Sequence, residues 1–302
     1  MNLSKSDTLA IKGLAIVFVM VGHFINAGFF HMNVLRFSGA WGVAMFLFVS
    51  GYGLYKSYQN NKTMNHYIQN KIDKVFLPYF IVTIIWILTL NNKLFVINDL
   101  KIVILSLIGL DLNRTIDGTM WYISFLFINY LIFYLVFKLS IKCGIKILIL
   151  LLVCYMIGKF PILNYESVNY QFHLHWASFP LGVVVSYFED KKTVNLKKYI
   201  KVFLIFIFLS FSVILFKYVE VSLPCYSLFS VSIAAIFILL CTIVSEKIKI
   251  LYQIIGKYSY ELYLVEGMVI FNIGIIDKSG ILAFPIIILL AFMLKKILNM
   301  IE

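Results

Sequence analysis

The chain has 302 residues, 62% of them hydrophobic and 13% charged, with a formal net charge of +12 and a mean hydropathy of +0.95. This composition excludes an ordinary soluble domain and predicts a protein of many apolar helices in a bilayer. The positive charge comes in short lysine clusters between the apolar runs, so it reads as a basic membrane fringe and predicts no nucleic-acid partner.

Apolar runs of spanning length cover residues 9–30, 41–57, 74–91, 119–138, 145–160, 172–188, 199–217, 223–244, 258–276 and 281–298. The fold class expected is therefore all-α, a polytopic bundle of about ten transmembrane helices forming one domain over 1–302. The first run has the length of a span and no small-residue cleavage pattern after it, so it is expected to stay as helix one. The run at 102–110 is too short to cross and is read as a re-entrant or interfacial segment. Sorting the basic residues between alternate loops puts nineteen on one side, including the clusters at Lys71, Lys142, Lys197 and Lys295, and seven on the other, among them Lys93, Lys159 and Lys278. The positive-inside rule then places both termini in the cytoplasm. Cys143, Cys154, Cys225 and Cys241 have no paired spacing, and neither a disulfide framework nor a metal site is expected.

In the first run, KGLAIVFVMVGH, Lys12 and His23 stand eleven residues apart. That is about three helical turns, so they share a face roughly 16 Å apart along the axis. An ionisable side chain near mid-bilayer costs at least ~2.5 kcal/mol unless it faces protein or water, which makes His23 a candidate general base, against the plainer reading of a histidine held by one interhelical hydrogen bond. Asn26 and His31 continue its polarity outward. Lys71 and Lys74, in NKIDKVFLPYF, have helical spacing suited to a phosphate-rich ligand, or to ordinary interfacial anchoring. In WGVAMFLFVSGYGLYKS, Gly42, Ser50, Gly51 and Gly53 permit close helix approach, and Trp41 and Tyr52 are placed to line an interface.

Trp121 and Tyr122 begin an aromatic segment, and His173 and His175 lie two residues apart near a helix end, where they share no face and form no metal pair. Arg36 and Arg114 are the only arginines. Glu261 and Glu266 sit inside an otherwise apolar run; Glu266 is the deeper and requires a partner, a histidine or lysine of the bundle.

Together these segments resemble the membrane-bound acyltransferase-3 family, integral membrane enzymes that O-acetylate envelope polysaccharides and related glycans. The resemblance rests on Lys12 and His23 at the family's first-helix arginine and histidine; on Gly42, Val43, Phe46, Phe48, Ser50, Gly51 and Tyr52; on Lys71, Lys74, Pro78 and Tyr79; on Trp121 to Ile123; and on Gly256 to Ser259 with Tyr263 and Leu264. Lysine replaces arginine at three of these positions, keeping the charge without the bidentate fork. Ala44 stands where many members carry aspartate, and Glu266 where many carry histidine.

The resemblance implies transfer of an acyl group, acetyl being expected, from cytoplasmic acyl-CoA to a hydroxyl of an exported or envelope glycan, in a bacterial cytoplasmic membrane. It implies no permanently bound cofactor, acetyl-CoA being a donor substrate. Lys12, Lys71 and Lys74 would hold the donor phosphates, with His23 and Glu266 catalytic. Arg36, Trp41, Ser50, Tyr52, Arg114, Trp121, Tyr122 and His175 would serve the acceptor or the developing oxyanion. Membrane lipids and a second copy of the chain complete the expected partners. The rival reading is a proton-coupled transporter or glycan flippase using His23 and Glu266 as a relay, although no internal repeat supports it.

Overall fold

A computed structural model describes residues 3–89, 99–160, 166–191, 197–273 and 280–301, which are helices and connecting turns with no strand among them. The helices are α1 (Lys5–Asn26), α2 (Ser38–Asn60), α3 (Tyr67–Thr89), α4 (Leu100–Leu107), α5 (Trp121–Lys138), α6 (Cys143–Lys159), α7 (Glu166–His175), α8 (Ser178–Lys191), α9 (Lys198–Phe216), α10 (Leu223–Ile243), α11 (Glu246–Lys257), α12 (Ser259–Ile273) and α13 (Ala283–Ile301). Seven of these, α1, α2, α3, α5, α9, α10 and α13, are long and apolar enough to cross a membrane. The other three predicted ranges are also helical, in α6, α8 and α12, with 17, 14 and 15 described residues. Lys93, Lys192, Lys278 and the predicted span ends at 90–91 and 274–276 lie outside the described residues.

Three features differ from the sequence expectation, and a fourth gives form to the segment expected to be too short to cross. The single helix expected over 172–188 is broken at Trp176–Ala177 into α7 and α8. Pro180 in the first turn of α8 lacks an N–H and would clash with the carbonyl four residues back, so the helix restarts there. The stretch after α10, EKIKILYQIIGK, is not a loop but the helix α11, packed along the first half of α1. The run at 102–110 forms the eight-residue α4, capped by the Asp99 side chain on the Lys101 and Ile102 amides. Finally, α3 contains a π-helical turn at Ile72–Phe76, so Lys71 and Lys74 do not sit on an unbroken α-helical face.

The two most closely packed helix pairs, α2 with α8 and α1 with α11, are each held by reciprocal glycines. A Cβ on Gly51 would overlap the Phe179 carbonyl, and one on Gly182 the Phe48 carbonyl. Gly13 and Gly256 meet the Tyr252 and Leu9 carbonyls in the same way. In a bilayer, where burial of apolar surface does not drive helices together, this backbone-to-backbone packing is a main source of association. Gly53, by contrast, faces open space and brings no helix close.

At its N-terminal end α1 is pinned by polar contacts. The Ser4 side chain and Asp7 form a capping box, and the Lys249 ammonium of α11 donates to Asp7 Oδ1 at 2.6 Å and to Glu246 Oε1 at 3.0 Å. These contacts fix the axis of α1, the helix on which both Lys12 and His23 are carried.

Candidate active site

His23 lies in the last turn of α1, and its Nδ1 stands 3.0 Å from Oε1 of Glu266 on α12, 243 residues later. The imidazole is about a quarter exposed and the carboxylate is fully buried. A carboxylate accepts only, so Nδ1 carries the proton and Nε2 is left as the basic nitrogen. This is the arrangement in which a carboxylate orients an imidazole and supports it once protonated. The Glu266 oxygen not bonded to His23 is buried without a hydrogen-bond partner.

His23 opens on a cavity of about 140 Å³ whose wall includes Asn26, Arg36, Thr119, Trp121, Tyr122, Gln171, His175 and Tyr263. Trp121 and Tyr122 enter it from the first turn of α5, with Tyr122 edge-on to Tyr263 at 5.2 Å. His175, at the end of α7, is 1% exposed, stacks on Trp121 at 5.5 Å, and has no hydrogen-bond partner on either ring nitrogen. A buried imidazole with two free nitrogens costs desolvation without return, and it is placed to bond a group brought into the cavity. The break before Pro180 is what leaves His175 at a helix end rather than inside one.

The loop between α4 and α5 gives the cavity Thr119 and holds Asp117, which is not part of the wall. Trp86 donates to the Ile116 carbonyl at 2.7 Å, Ser124 to the Gly109 carbonyl at 2.5 Å, and the Tyr263 hydroxyl to the Thr119 carbonyl. These anchors hold Asp117, whose Oδ1 accepts from the Thr119 amide and hydroxyl at 2.7 Å each and whose Oδ2 is buried without a partner. Burial pushes the Asp117 carboxyl above the usual range, and its charge reaches both His23 and Glu266. Sequence reasoning missed Asp117, Tyr170, Gln171 and Tyr226. The available signal was an acid directly before an apolar aromatic run, and a polar helix, ESVNYQFHLH, between spans.

The structure brings His23, Arg36, Trp121, Tyr122 and His175 to one cavity, with Glu266 bonded to His23 outside its wall, and leaves the other expected residues elsewhere. Arg36 at the mouth is already ion-paired with Glu220 and rests on the Phe37 ring at 4.7 Å. Trp41 is buried between Phe18 and Phe229, on the far side of α2. Ser50 lies near the Tyr122 and Tyr130 phenols but is not part of the cavity wall. Tyr52 is at the other end of α2, donating to Glu189 Oε2 at 2.6 Å and accepting from the Leu3 amide at 3.1 Å, so it is not available to the cavity. Arg114 sits at a positive-φ turn of the α4–α5 loop, outside the cavity wall.

Residues 10–296 match the family model described as an acyltransferase domain, Acyl_transf_3. The chain belongs to the acyltransferase-3 family. No curated protein and no solved structure matches it. With seven helices long and apolar enough to cross a membrane, it is a multi-pass membrane acyltransferase.

The acyltransferase carries a second polar cluster near Lys12. Lys12 lies within electrostatic reach of Glu261 and Lys295, whose ammonium donates to Glu261 Oε1 at 2.8 Å. Lys71 in turn feels both Lys12 and Lys74, so the three lysines form one cationic region. Lys71 is turned onto the Tyr130 ring at 4.3 Å and the Tyr67 ring at 5.6 Å, while Lys74 is exposed. Among the described residues no group of three or more His, Cys, Asp or Glu side chains could hold a metal ion.

Proposed function

We propose that this acyltransferase moves an acetyl group from cytoplasmic acetyl-CoA to a hydroxyl of an exported or cell-envelope glycan, in a bacterial cytoplasmic membrane. In this reading ten helices cross the bilayer and both termini are cytoplasmic, with Lys12, Lys71 and Lys74 at the inner mouth on the donor phosphates. The observation that carries the reading is the His23–Glu266 contact opening on a polar cavity at the opposite end of α1 from that cationic region.

His23 Nε2 takes the proton from the acceptor hydroxyl as its oxygen bonds to the thioester carbonyl carbon. The tetrahedral oxyanion then collapses, the C–S bond breaks, and the thiolate receives the proton from His23, so that the transfer is proton-neutral. Glu266 holds the ring in the required tautomer and stabilises it while charged. Trp121 and Tyr122 are the expected oxyanion donors that line the cavity. His175 and Gln171 provide hydrogen bonds for acceptor hydroxyls, and the aromatic wall provides a face for a sugar ring. Because Arg36 is neutralised by Glu220, a neutral sugar suits this cavity better than an anionic one.

The test is His23→Ala in proteoliposomes supplied with labelled acetyl-CoA, together with mass spectrometry of envelope glycans for the increment of an acetyl ester. The variant is expected to be present at wild-type amounts with label transfer abolished. Retained transfer would remove His23 from the mechanism. A wild-type protein that neither binds nor consumes acetyl-CoA would turn the same buried pair toward a proton relay in transport.

A further inference from the structure

A cavity of about 700 Å³, larger than the one at His23, lies away from it, between α2, α8, α9 and α10. Its walls are apolar, with Phe48 of α2, Leu181 and Val185 of α8, and Leu204 and Phe208 of α9 facing one another. Along α8 the wall runs from Ser178 to Glu189. Those eleven steps make about 16 Å of helix, close to the depth of one leaflet of a ~30 Å hydrocarbon core.

Charge is present at one end only. Glu189 is the single charged residue of the wall; its Oε2 accepts from the Tyr52 hydroxyl and lies 3.5 Å from the Lys56 ammonium. On α9 Lys201 precedes Leu204 and Phe208 at i−3 and i−7, so it lies on the face that lines the cleft, with Lys197 one turn further out. Glu189 is thus already paired with Lys56, and by helical spacing Lys201 and Lys197 stand at the same end of the cleft. Only Ser212 and Leu215 of α9 are buried by protein, so most of that helix presents its side chains to whatever fills the bilayer around it.

We propose that this cleft binds an anionic phospholipid of the leaflet on the lysine-rich side. One acyl chain lies between α8 and α9, and the phosphate sits at Lys56 and Lys201. The slot matches one leaflet in depth, and its charge at a single end matches an anionic headgroup rather than a zwitterionic one. The site is independent of the acyl-transfer reading, since it shares no lining residue with the His23 cavity.

The test uses the full chain in neutral detergent with equal amounts of phosphatidylglycerol and phosphatidylcholine of identical chains, retained lipid being counted by native mass spectrometry. Wild type is expected to retain phosphatidylglycerol about twenty-five-fold over phosphatidylcholine, as two lysines at about 1 kcal/mol each provide. Lys201→Gln, a surface change that leaves the packing intact, is expected to reduce that preference about fivefold. Ala235→Phe, which fills the cleft from α10, is expected to remove retention of both lipids. Equal retention of the two lipids by wild type would overturn the proposal. So would an undiminished preference in Lys201→Gln, or undiminished phosphatidylglycerol retention in a monodisperse Ala235→Phe protein.

Discussion

Replacing Glu266 by Gln isolates what the carboxylate does for His23. The side chain is fully buried, its Oε1 is 3.0 Å from Nδ1, and the amide is nearly isosteric, so the cavity wall keeps its shape. What is lost is a charge-assisted hydrogen bond to an imidazole that becomes cationic during the reaction. Such a bond is worth about 1.5–3 kcal/mol, which converts to roughly a tenfold to hundredfold loss in kcat. If the new amide presents its NH₂ to Nδ1, the ring is held in the wrong tautomer and the loss approaches the ~10⁴ seen when a catalytic Asp becomes Asn. Either way the loss should fall on kcat. The KM for acetyl-CoA should hold, because the cationic region lies about 16 Å away along α1. The assay is release of free thiol from acetyl-CoA in proteoliposomes containing matched amounts of wild type and variant, with acceptor present. A Glu266→Gln enzyme within twofold of wild-type kcat would refute the role given to this contact.

The complementary change is Lys71→Ala with Lys74→Ala, which should raise the KM for acetyl-CoA by about tenfold with little change in kcat, and should weaken the salt dependence of KM measured between low and moderate ionic strength. Gly13→Ala forces a Cβ into the Tyr252 carbonyl, a rigid backbone contact; a loss of about 1–3 kcal/mol, or failure to accumulate, is expected and is read by thermal unfolding in detergent. Asp117→Asn tests the buried acid beside the dyad. Its carboxyl is raised by burial, so its stabilising contribution is complete below the unfolded value near ~3.9 and is lost as pH rises through the higher folded value. The variant should therefore gain stability relative to wild type as pH increases from about 4, and a difference in midpoint temperature that stays constant with pH would contradict this.

The parts of this architecture that could be read from the sequence are those in which a polar residue interrupts an apolar run. His23 and Glu266 stood out because a bilayer makes their burial costly, and the requirement that Glu266 find a histidine or lysine partner is met by His23. Which partner it would be could not be read, because contact across 243 residues depends on how α1 and α12 pack. Lys71 and Lys74 were legible as a charged pair, but the π-helical turn that separates them was not, since no residue of IDKVF demands it. The reverse error occurred at Tyr52, where a hydroxyl in a motif-bearing helix looked available and is bonded to Glu189. Helix α11 was hidden because its four charged residues make it look like a linker, although Lys249 and Gly256 are buried against α1. Asp117 was passed over for the same reason: it precedes an apolar run instead of interrupting one, and only the anchors from Trp86, Ser124 and Tyr263 carry it inside.

The precision of the dyad depends on features remote from it. His23 is eleven residues from Lys12 on one rigid helix, so a displacement of the axis of α1 moves both ends of the site together. That axis is set on one side by α11, through the Gly13–Gly256 contact and the Lys249–Asp7 ion pair, and on another by α2, where a Cβ on Gly42 would overlap the Ala15 carbonyl. On the opposing helix, Gly267 follows Glu266 directly, and a Cβ there would strike the Thr119 hydroxyl that holds Asp117. The glycine lets α12 approach the α4–α5 loop closely enough for the Asp117 charge to act on the His23–Glu266 pair. A catalytic group must be held to within about half an ångström. Here that tolerance is met by backbone contacts, which cannot change rotamer, rather than by flexible side chains alone. Gly267→Ala, whose new Cβ meets a side chain rather than backbone, should then lower activity more than it lowers the amount of folded protein.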